Sequence, residues 1–279
     1  MEYYEFRIKV SEESKDALIS RMHDIGCLGV IDNNDEIVAY FPPKLSHEEI
    51  AFELQRFKEI LKYSGLDSEL SFRYQSLPDR DWNEEWKKNI KPIDAGGFTI
   101  LPSWEKAQGK KISLVIDPGM AFGTGHHETT RTCLGLIERL SIERNKERFL
   151  DIGTGTGVLA IAAAKLGFKE VVGVDTDPLA YDAARRNAGL NDLKNIDIKL
   201  GGVSEADGKF DFIIANLISE TLISIAYEIK NRLNNNGIAV LSGMLAGQEE
   251  DVIKAVAALG LKLAEKINDG KWVTVVFVK

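Results

Sequence analysis

The sequence predicts an α/β protein whose larger part is a doubly wound, mostly parallel β-sheet, with an antiparallel strand at its C-terminal end. Three observations lead to this fold class. Apolar strand segments alternate with helical segments from about residue 111 onward, which is the pattern of a parallel sheet covered by helices. A glycine-rich turn joins one of these strands to the helix that follows it. The first 75 residues have a different order of elements and predict a smaller α+β unit.

The N-terminal unit is predicted from the order strand, helix, strand, strand, helix, strand over residues 1–75. Ser11 follows the first strand and is placed to cap the first helix. Ser46 begins the second helix, and Glu49 stands three residues later, as in a capping box. This order of elements is typical of the split βαβ, or ferredoxin-like, unit. The unit carries no catalytic constellation, so it is either a scaffold or a recognition module tethered to a catalytic domain.

Residues 76–96 differ in character and are predicted to be the linker between the two domains. They contain a charged run with Trp82 and Trp86 four positions apart, which places both indoles on one face of a short helix. A helix packed on a neighbouring domain explains this pair better than an exposed stacking site for nucleic acid. The catalytic domain is therefore expected to span residues 97–279.

Composition narrows the classes of partner. The net charge of −8 and the pI near 5.2 argue against a general nucleic-acid binder but permit a basic protein as partner. No apolar run approaches the ~20 residues that span a bilayer, so we expect neither a membrane anchor nor a signal peptide. Cys27 and Cys133 are far apart and predict two buried thiols in a reducing compartment. The predicted location is the cytoplasm.

The stretch LDIGTGTGVLAI, residues 150–161, predicts the end of a buried strand, a tight turn and the start of a helix. The turn holds three glycines at alternate positions, Gly153, Gly155 and Gly157. Such glycines allow a ligand to approach the backbone closely. A dinucleotide fingerprint would place its third glycine at position 158, where this chain has Val158, which disfavours an NAD-dependent oxidoreductase. Asp151 would repel a phosphate, but it suits a ligand with an amino group and a net positive centre.

Two further polar residues follow predicted strands. Asp175 ends the strand 170–174, about 20 residues after the glycines, where an acid is placed to accept both hydroxyls of a ribose. It is alternatively a helix cap, although Asp177 already fills that role. Asn216 ends the strand 210–215, and the pattern after it predicts one helix over about 219–233. Because parallel strands share one carboxyl edge, these side chains, Asp151 and the loop 117–130 are expected to converge there.

The loop 117–130, with the sequence DPGMAFGTGHHETT, is rich in glycine and hydroxyl groups. It lacks the Lys-Ser or Lys-Thr pair of a phosphate-binding Walker loop. His126, His127 and Glu128 suggest a zinc site, but adjacent histidines do not share a helix face and no third ligand has a suitable spacing. We therefore expect no metal. The helix that follows is predicted to begin at Thr129.

On these segments the chain resembles the ribosomal protein L11 methyltransferase family (PrmA), which belongs to the class I S-adenosylmethionine (AdoMet) methyltransferases. The resemblance covers most of the chain and is carried by four segments: DPGMAFGTGHHETT (117–130), LDIGTGTGVLAIAAAKLG (150–167), GVDTDP (173–178) and ANLI (215–218). It implies a class I methyltransferase fold and AdoMet as methyl donor. It also implies methylation of lysine side-chain and N-terminal amines of ribosomal protein L11, held by the N-terminal module.

The resemblance also implies roles for single residues. Four positions match cofactor contacts in that family, namely Thr129, Gly153, Asp175 and Asn216. Phe122 matches an aromatic residue in the loop over the active site. Together with Asp151, Gly155 and Gly157, these are the predicted cofactor-binding residues.

Asn216, Thr129 and Thr130 are the predicted catalytic residues. Asn216 is neutral, so its side-chain oxygen can accept a hydrogen bond from the substrate amine without favouring the ammonium form. Thr129 and Thr130 are predicted to help close the site. His126, His127 or Glu128 is a candidate to relay the amine proton, with water as an equal alternative. The sequence identifies no general base.

Two alternatives remain beside this prediction. One is an AdoMet-dependent N-methyltransferase acting on another protein or on nucleic acid. Enzymes that flip a base usually place Pro-Pro and an aromatic residue after the Asn that ends the fourth strand. In this chain Leu217, Ile218 and Ser219 follow Asn216, which disfavours nucleic acid as the substrate. Another is a non-catalytic AdoMet-binding adaptor, which would be expected to have lost the glycine turn, Asp175 or Asn216.

The predicted protein is a monomer that binds ribosomal protein L11 before its assembly into the ribosome and has no membrane or metal partner.

Overall fold

The computed structural model describes residues 3–33, 36–64, 69–77, 90–106, 109–117, 127–142 and 144–279. The contacts divide the chain into two compact units, Met1–Asn89 and Ile90–Lys279. This division falls within the predicted linker 76–96, although Trp82 and Trp86 lie outside the described residues. In the described ranges, no helix is both long and apolar enough to cross a membrane.

The first unit contains a four-stranded antiparallel sheet. Its elements are β1 (Tyr3–Lys9), α1 (Lys15–Ile25), β2 (Gly29–Asp32), β3 (Ile37–Phe41), α2 (His47–Tyr63) and β4 (Ser71–Leu77). The strands lie in the order β2-β3-β1-β4, and each neighbouring pair is antiparallel. Alternate residues of β1 and β3, such as Phe6 and Phe41, form one core with Leu18 of α1 and Leu54 of α2. One face of the sheet therefore packs against both helices.

The two predicted helix starts in this unit have different outcomes. The capping box before α2 is confirmed, because Ser46 Oγ accepts from Glu49 N at 3.1 Å and Ser46 N donates to Glu49 Oε2 at 2.8 Å. The prediction that Ser11 caps the first helix is wrong. Its carbonyl instead closes a 3-10 turn by accepting from Ser14 N at 3.0 Å, and α1 starts only after that turn.

The second unit begins with a small sheet and continues as alternating helices and strands. The small sheet is β5 (Ile93–Ala95), β6 (Phe98–Leu101) and β7 (Ile112–Val115). The elements that follow are α3 (Glu128–Leu140), β8 (Arg148–Ile152), α4 (Val158–Lys165), β9 (Glu170–Asp175), α5 (Pro178–Leu190), β10 (Ile196–Leu200), β11 (Phe210–Asn216), α6 (Ser219–Ser224), α7 (Ala226–Arg232), β12 (Leu233–Leu245), α8 (Glu249–Ala258), β13 (Lys262–Asp269) and β14 (Trp272–Val278). Strand β5 thus lies inside the segment predicted as linker.

The large sheet confirms the predicted fold class. Its strands lie in the order β10-β9-β8-β11-β12-β14-β13. The neighbours from β10 to β12 are parallel, and β14 is antiparallel to both β12 and β13. Apolar residues of α3 and α4 form one core with the sheet, while residues of α6, α7 and α8 form another. A parallel sheet buried on both faces explains why its strands read as continuous apolar runs.

One helix of this unit differs from its prediction. The segment 219–233 was expected to be a single helix, but it forms α6 and α7 with a break at Ile225. Ser224 Oγ donates to the carbonyl of Thr221 at 2.7 Å. A serine hydroxyl that bonds back to the preceding turn competes with the helical hydrogen bonds and favours such a break.

Candidate active site

The candidate site lies at the carboxyl ends of three adjacent strands, β9, β8 and β11. β8 comes first in the large sheet along the chain; the next strand, β9, lies on one side of it, and β11 lies on the other. This is the point where the strand order reverses, and ligands of open α/β sheets bind outside the carboxyl ends at such a point. The residues Asp151, Asp175 and Asn216 all belong to these three strands.

The turn between β8 and α4 requires its glycines for two reasons. Gly153, Gly155 and Gly157 have φ values of +72°, +55° and +82°, a region that side chains other than glycine rarely adopt. A Cβ at Gly153 would also lie 2.5 Å from Leu217 Cδ2, so Leu217 packs directly on the turn. The sequence predicted the glycines but not this contact, because no local pattern connects positions 153 and 217.

Asp151 lies underneath the glycine turn rather than on its surface. Its side chain is fully buried, and its Oδ2 accepts from Thr154 Oγ1 at 2.7 Å and from Ala160 N at 3.2 Å. Its other oxygen, Oδ1, is buried and forms no hydrogen bond within the described part of the chain. Burial is the main cause that raises the pKa of Asp151 to about 7. Asp151 thus ties the turn to the start of α4 and keeps one acceptor unused.

Asp175 is held by backbone groups on both of its oxygens. Oδ2 accepts from Gly155 N at 2.9 Å, and Oδ1 accepts from Asp177 N at 3.0 Å. The cap of α5 belongs to Asp177, whose Oδ1 accepts from Leu179 N at 2.8 Å, with Pro178 in the first turn. Because a carboxylate has about four acceptor positions, each oxygen of Asp175 can accept a further hydrogen bond. The predicted cap at Asp177 is therefore confirmed, and Asp175 is available for a ligand.

Asn216 is connected to Thr129 across 87 positions of sequence. Its Nδ2 donates to Thr129 Oγ1 at 3.1 Å, and Thr129 Oγ1 lies 2.7 Å from His127 Nδ1. Since an amide nitrogen only donates, the hydroxyl oxygen accepts from Asn216 and gives its own proton to His127. This arrangement leaves Asn216 Oδ1 as an acceptor that forms no hydrogen bond with the described residues.

His127 fixes the direction of that chain of hydrogen bonds. Its Nδ1 also accepts from Thr129 N at 3.4 Å, which makes it the N-cap of α3. A ring nitrogen that accepts two hydrogen bonds carries no proton, so the neutral ring has its proton on Nε2. The ring also packs edge-on against Trp272, with 4.7 Å between centroids. The sequence indicated His127 only as one of several proton relays and did not indicate Trp272.

The structure describes some of the remaining predicted residues and not others. Thr130 lies beside Thr129 on α3, but its Oγ1 is buried and finds no hydrogen-bond partner among the residues that the structure describes. Phe122 and His126 lie outside the described residues. In the part of the chain that is described, no group of three His, Cys, Asp or Glu side chains is arranged to hold a metal ion. Cys27 and Cys133 are buried, as predicted, and free.

The donors and acceptors of this site fit AdoMet. The glycines of the turn carry no side chain that would keep a ligand from the backbone, and Asp175 can accept hydrogen bonds from two neighbouring hydroxyls. The unpartnered oxygen of Asp151 suits an amino group. Asn216 presents a neutral acceptor on the next strand, β11, at the same edge.

Comparisons with known proteins agree with this assignment. A family model described as ribosomal protein L11 methyltransferase (PrmA) matches residues 2–279. A ribosomal protein L11 methyltransferase from Caldicellulosiruptor saccharolyticus is 37% identical over 305 residues, which cover 99% of this chain and 99% of that protein. One from Clostridium perfringens is 38% identical over 246 residues, which cover 86% of this chain and 74% of that protein.

A solved structure agrees as well. The crystal structure of ribosomal protein L11 methylase from Lactobacillus delbrueckii subsp. bulgaricus superposes with a TM-score of 0.63 at 32% identity. The superposition covers 67% of this chain and 98% of that chain.

Proposed function

This chain belongs to the ribosomal protein L11 methyltransferase family, and we propose that it transfers methyl groups from AdoMet to lysine side-chain amines and the N-terminal amine of ribosomal protein L11. The family match over residues 2–279 supports the substrate. The geometry around Asn216 supports the transfer to an amine. The proposal includes a monomer that acts in the cytoplasm on ribosomal protein L11 before assembly into the ribosome.

The proposal assigns substrate recognition to the ferredoxin-like domain 1–75, joined by the linker 76–96 to the methyltransferase domain 97–279. The element order and the antiparallel sheet of the first unit support this assignment. Charge supports it too, because residues 1–77 contain 15 Asp and Glu but only nine Lys and Arg. Ribosomal proteins are generally basic, and complementary charge increases the rate at which such partners meet.

The proposed cofactor residues surround the glycine turn. The free acceptor positions of Asp175 would hold the two ribose hydroxyls, and Gly153, Gly155 and Gly157 would allow close approach to the backbone. The unpartnered Oδ1 of Asp151 would accept from the amino group. Phe122, in the loop 117–130, is proposed as an aromatic contact over the site. When bound, AdoMet supplies an electrophilic methyl group on a sulfonium centre.

The proposed task of Asn216 is to orient the substrate amine. A lysine amine with a pKa of ~10.4 must lose a proton before it attacks, at a cost of roughly 4.6 kcal/mol at pH 7. An α-amine near ~7.8 needs only about 1 kcal/mol. A carboxylate at this position would stabilise the ammonium form and raise that cost. The neutral Oδ1 of Asn216 accepts an N–H without this penalty, so the nitrogen lone pair is directed away from Asn216.

The observation that carries this proposal is the hydrogen bond from Asn216 Nδ2 to Thr129 Oγ1. It supports the side-chain oxygen as the end of the amide that faces the site. With Nδ2 engaged by Thr129, the amide cannot rotate to present its donor to the site without breaking that bond. Asn216 and Thr129 are therefore the proposed catalytic pair, and Thr130 is proposed to help enclose them.

The experiment is mass spectrometry of purified, unmodified ribosomal protein L11 after incubation with this protein and AdoMet, beside the variant Asn216→Ala. We expect mass gains in steps of one methyl group with the wild type and a much slower gain with the variant. Peptide mapping would then locate the lysines and the N-terminal amine. No gain with the wild type would exclude ribosomal protein L11 as substrate, and equal gains with both proteins would exclude the proposed role of Asn216.

A further inference from the structure

Helix α5 carries a buried asparagine that bonds to two separate loops. Asn187 is 1% exposed. Its Oδ1 accepts from Asp117 N at 3.1 Å, and its Nδ2 donates to the carbonyl of Thr156 at 2.9 Å. Neither partner belongs to α5 or to a neighbouring position of the chain. The side chain thus joins three segments that are far apart in sequence.

Thr156 belongs to the glycine turn of the candidate site, and Asp117 begins the segment 117–130 that the sequence predicted to reach that site. Thr156 lies between Gly155 and Gly157, in the turn that leads into α4. Gly155 N in turn donates to Asp175 Oδ2 at 2.9 Å. Asp117 is the first residue of the loop 117–130, and its carboxylate accepts from Ser103 N at 2.7 Å and from Ser103 Oγ at 3.0 Å. Asn187 therefore connects the base of this loop to the glycine turn.

A second asparagine one helical turn later provides a comparison. Asn191 Oδ1 accepts from Val115 N at 3.0 Å, and its Nδ2 donates to the carbonyl of Val115 at 2.7 Å and to that of Asn187 at 2.8 Å. It pairs with strand β7 as another strand would. It bonds neither to the glycine turn nor to Asp117.

We propose that Asn187 is a positioning residue for AdoMet, which holds the glycine turn and the start of the loop 117–130 at the spacing that the cofactor requires. The inference rests on the proposed cofactor site. Removing the amide takes away the hydrogen bonds that Asn187 gives to the buried carbonyl of Thr156 and accepts from the half-buried amide of Asp117, and both groups are expected to shift. A shift of Thr156 moves Gly155, and with it the backbone donor that orients Asp175. Asn187 therefore acts on the cofactor only through these backbone groups.

The test compares Asn187→Ala with Asn191→Ala in the full-length protein. Titration calorimetry with AdoMet measures cofactor affinity without turnover, and thermal denaturation measures stability. We expect Asn187→Ala to raise the Kd of AdoMet by about tenfold, the effect of two lost hydrogen bonds on a preformed site. We expect Asn191→Ala to reduce the melting temperature about as much as Asn187→Ala does, while changing the Kd of AdoMet by less than about twofold. Equal changes in Kd for the two variants would overturn the inference.

Two more variants keep the test decisive. Asn187→Asp retains the volume and the acceptor for Asp117 N but cannot donate to the carbonyl of Thr156, so we expect AdoMet binding to weaken as in Asn187→Ala. Failure of both Asn187 variants to fold, with Asn191→Ala folded, would assign Asn187 to the core and overturn the inference. Asp175→Ala tests the cofactor site itself. Weaker binding in Asp175→Ala with unchanged binding in Asn187→Ala would reject only the inference, and unchanged binding in both would reject the proposed site as well.

Discussion

The two halves of the candidate site are held in different ways. On the proposed cofactor side, most donors are backbone amides: Asp175 accepts from two of them, and Asp151 accepts from the amide of Ala160 besides the hydroxyl of Thr154. On the acceptor side, Asn216, Thr129 and His127 bond mainly to one another through their side chains. The backbone amide of Thr129 contributes only a long contact of 3.4 Å to this second group.

This difference predicts two kinds of sensitivity. Backbone donors are positioned by the fold, so the cofactor side is expected to fail when the backbone conformation changes. Side-chain donors are positioned by their neighbours, so the acceptor side is expected to fail when one polar atom is replaced in an unchanged backbone. The following substitutions separate the two cases, from the largest expected effect to the smallest.

Replacing Asn216 by Asp changes one polar group and keeps the backbone. A carboxylate cannot donate to Thr129, and it stabilises the ammonium form of the substrate. We expect kcat at pH 7 to fall by about 100-fold or more, because a group aimed at the reacting amine is lost. The pH–rate profile is expected to move to higher pH, since the amine holds its proton more tightly. Single-turnover rates at several pH values measure this, and a rate at or above that of Asn216→Ala would contradict it.

Replacing Gly153 by Ala changes the backbone of the cofactor side. A φ of +72° costs a residue other than glycine about 1–2 kcal/mol, and the new Cβ meets Leu217 at 2.5 Å. We expect the Kd of AdoMet to rise by about tenfold, as determined by calorimetry. Gly167→Ala is the control, because Gly167 has a φ of +97° but a Cβ there meets nothing within 4 Å. Equal effects of the two variants on AdoMet binding would show that the strain, and not the site, is responsible.

Thr129 and Thr130 are a matched pair on the acceptor side. Both are 1% exposed, yet among the described residues Thr129 Oγ1 has hydrogen-bond partners and Thr130 Oγ1 has none. Valine keeps the shape of threonine and removes the hydroxyl. We expect Thr129→Val to reduce kcat by about tenfold more than Thr130→Val, the effect of roughly one hydrogen bond to Asn216. Steady-state kinetics with ribosomal protein L11 measure the difference. Equal values of kcat for the two variants would show that Thr129 does not orient Asn216.

Replacing Asp151 by Asn affects stability and binding in opposite directions. Burial raises the pKa of this carboxyl from 3.8 to about 7. Between these two pH values the carboxyl keeps its proton in the folded state and has lost it in the unfolded state. Between these values the unfolded state binds fewer protons, and the stability of the wild type falls as the pH rises through this range. We expect the Asn variant to be more stable than the wild type by about 1–3 kcal/mol at pH 8, with the difference shrinking toward pH 4.

The Asp151→Asn variant places an NH2 group where Asp151 has either its unpartnered oxygen, Oδ1, or its hydrogen-bonded oxygen, Oδ2. We therefore expect a modest rise in the Kd of AdoMet, about threefold, from the loss of one acceptor for the amino group. Thermal denaturation at several pH values and calorimetry measure the two effects. A melting temperature at pH 8 no higher than that of the wild type would contradict the expected stabilisation.

The sequence predicted those features whose signals lie within a few positions. The glycine turn, the cap at Asp177 and the capping box at Ser46 and Glu49 are all local, and each depends on the conformational preference of its own residues. The alternation of strands and helices likewise predicted the parallel sheet and its antiparallel end.

The sequence did not predict the contacts that join distant segments. Asn216 and Thr129 were both predicted site residues, but their hydrogen bond spans 87 positions, and no spacing indicates it. The contact of Leu217 with Gly153 and the bonds of Asn187 to Asp117 and Thr156 have no periodic signature either. The break at Ile225 was missed for a different reason, because it depends on a hydroxyl of Ser224 that turns back to the helix.

The single free acceptor of Asn216 has a consequence for successive methylation of one amine. A neutral primary amine has two N–H groups, its monomethyl product has one, and its dimethyl product has none. The hydrogen bond to Asn216 Oδ1 is therefore available for the first and second additions but not for the third. If an amine receives three methyl groups, the rate of the last addition should be nearly insensitive to Asn216→Ala. In the products of that variant, the dimethyl intermediate would therefore be depleted more strongly than the monomethyl intermediate.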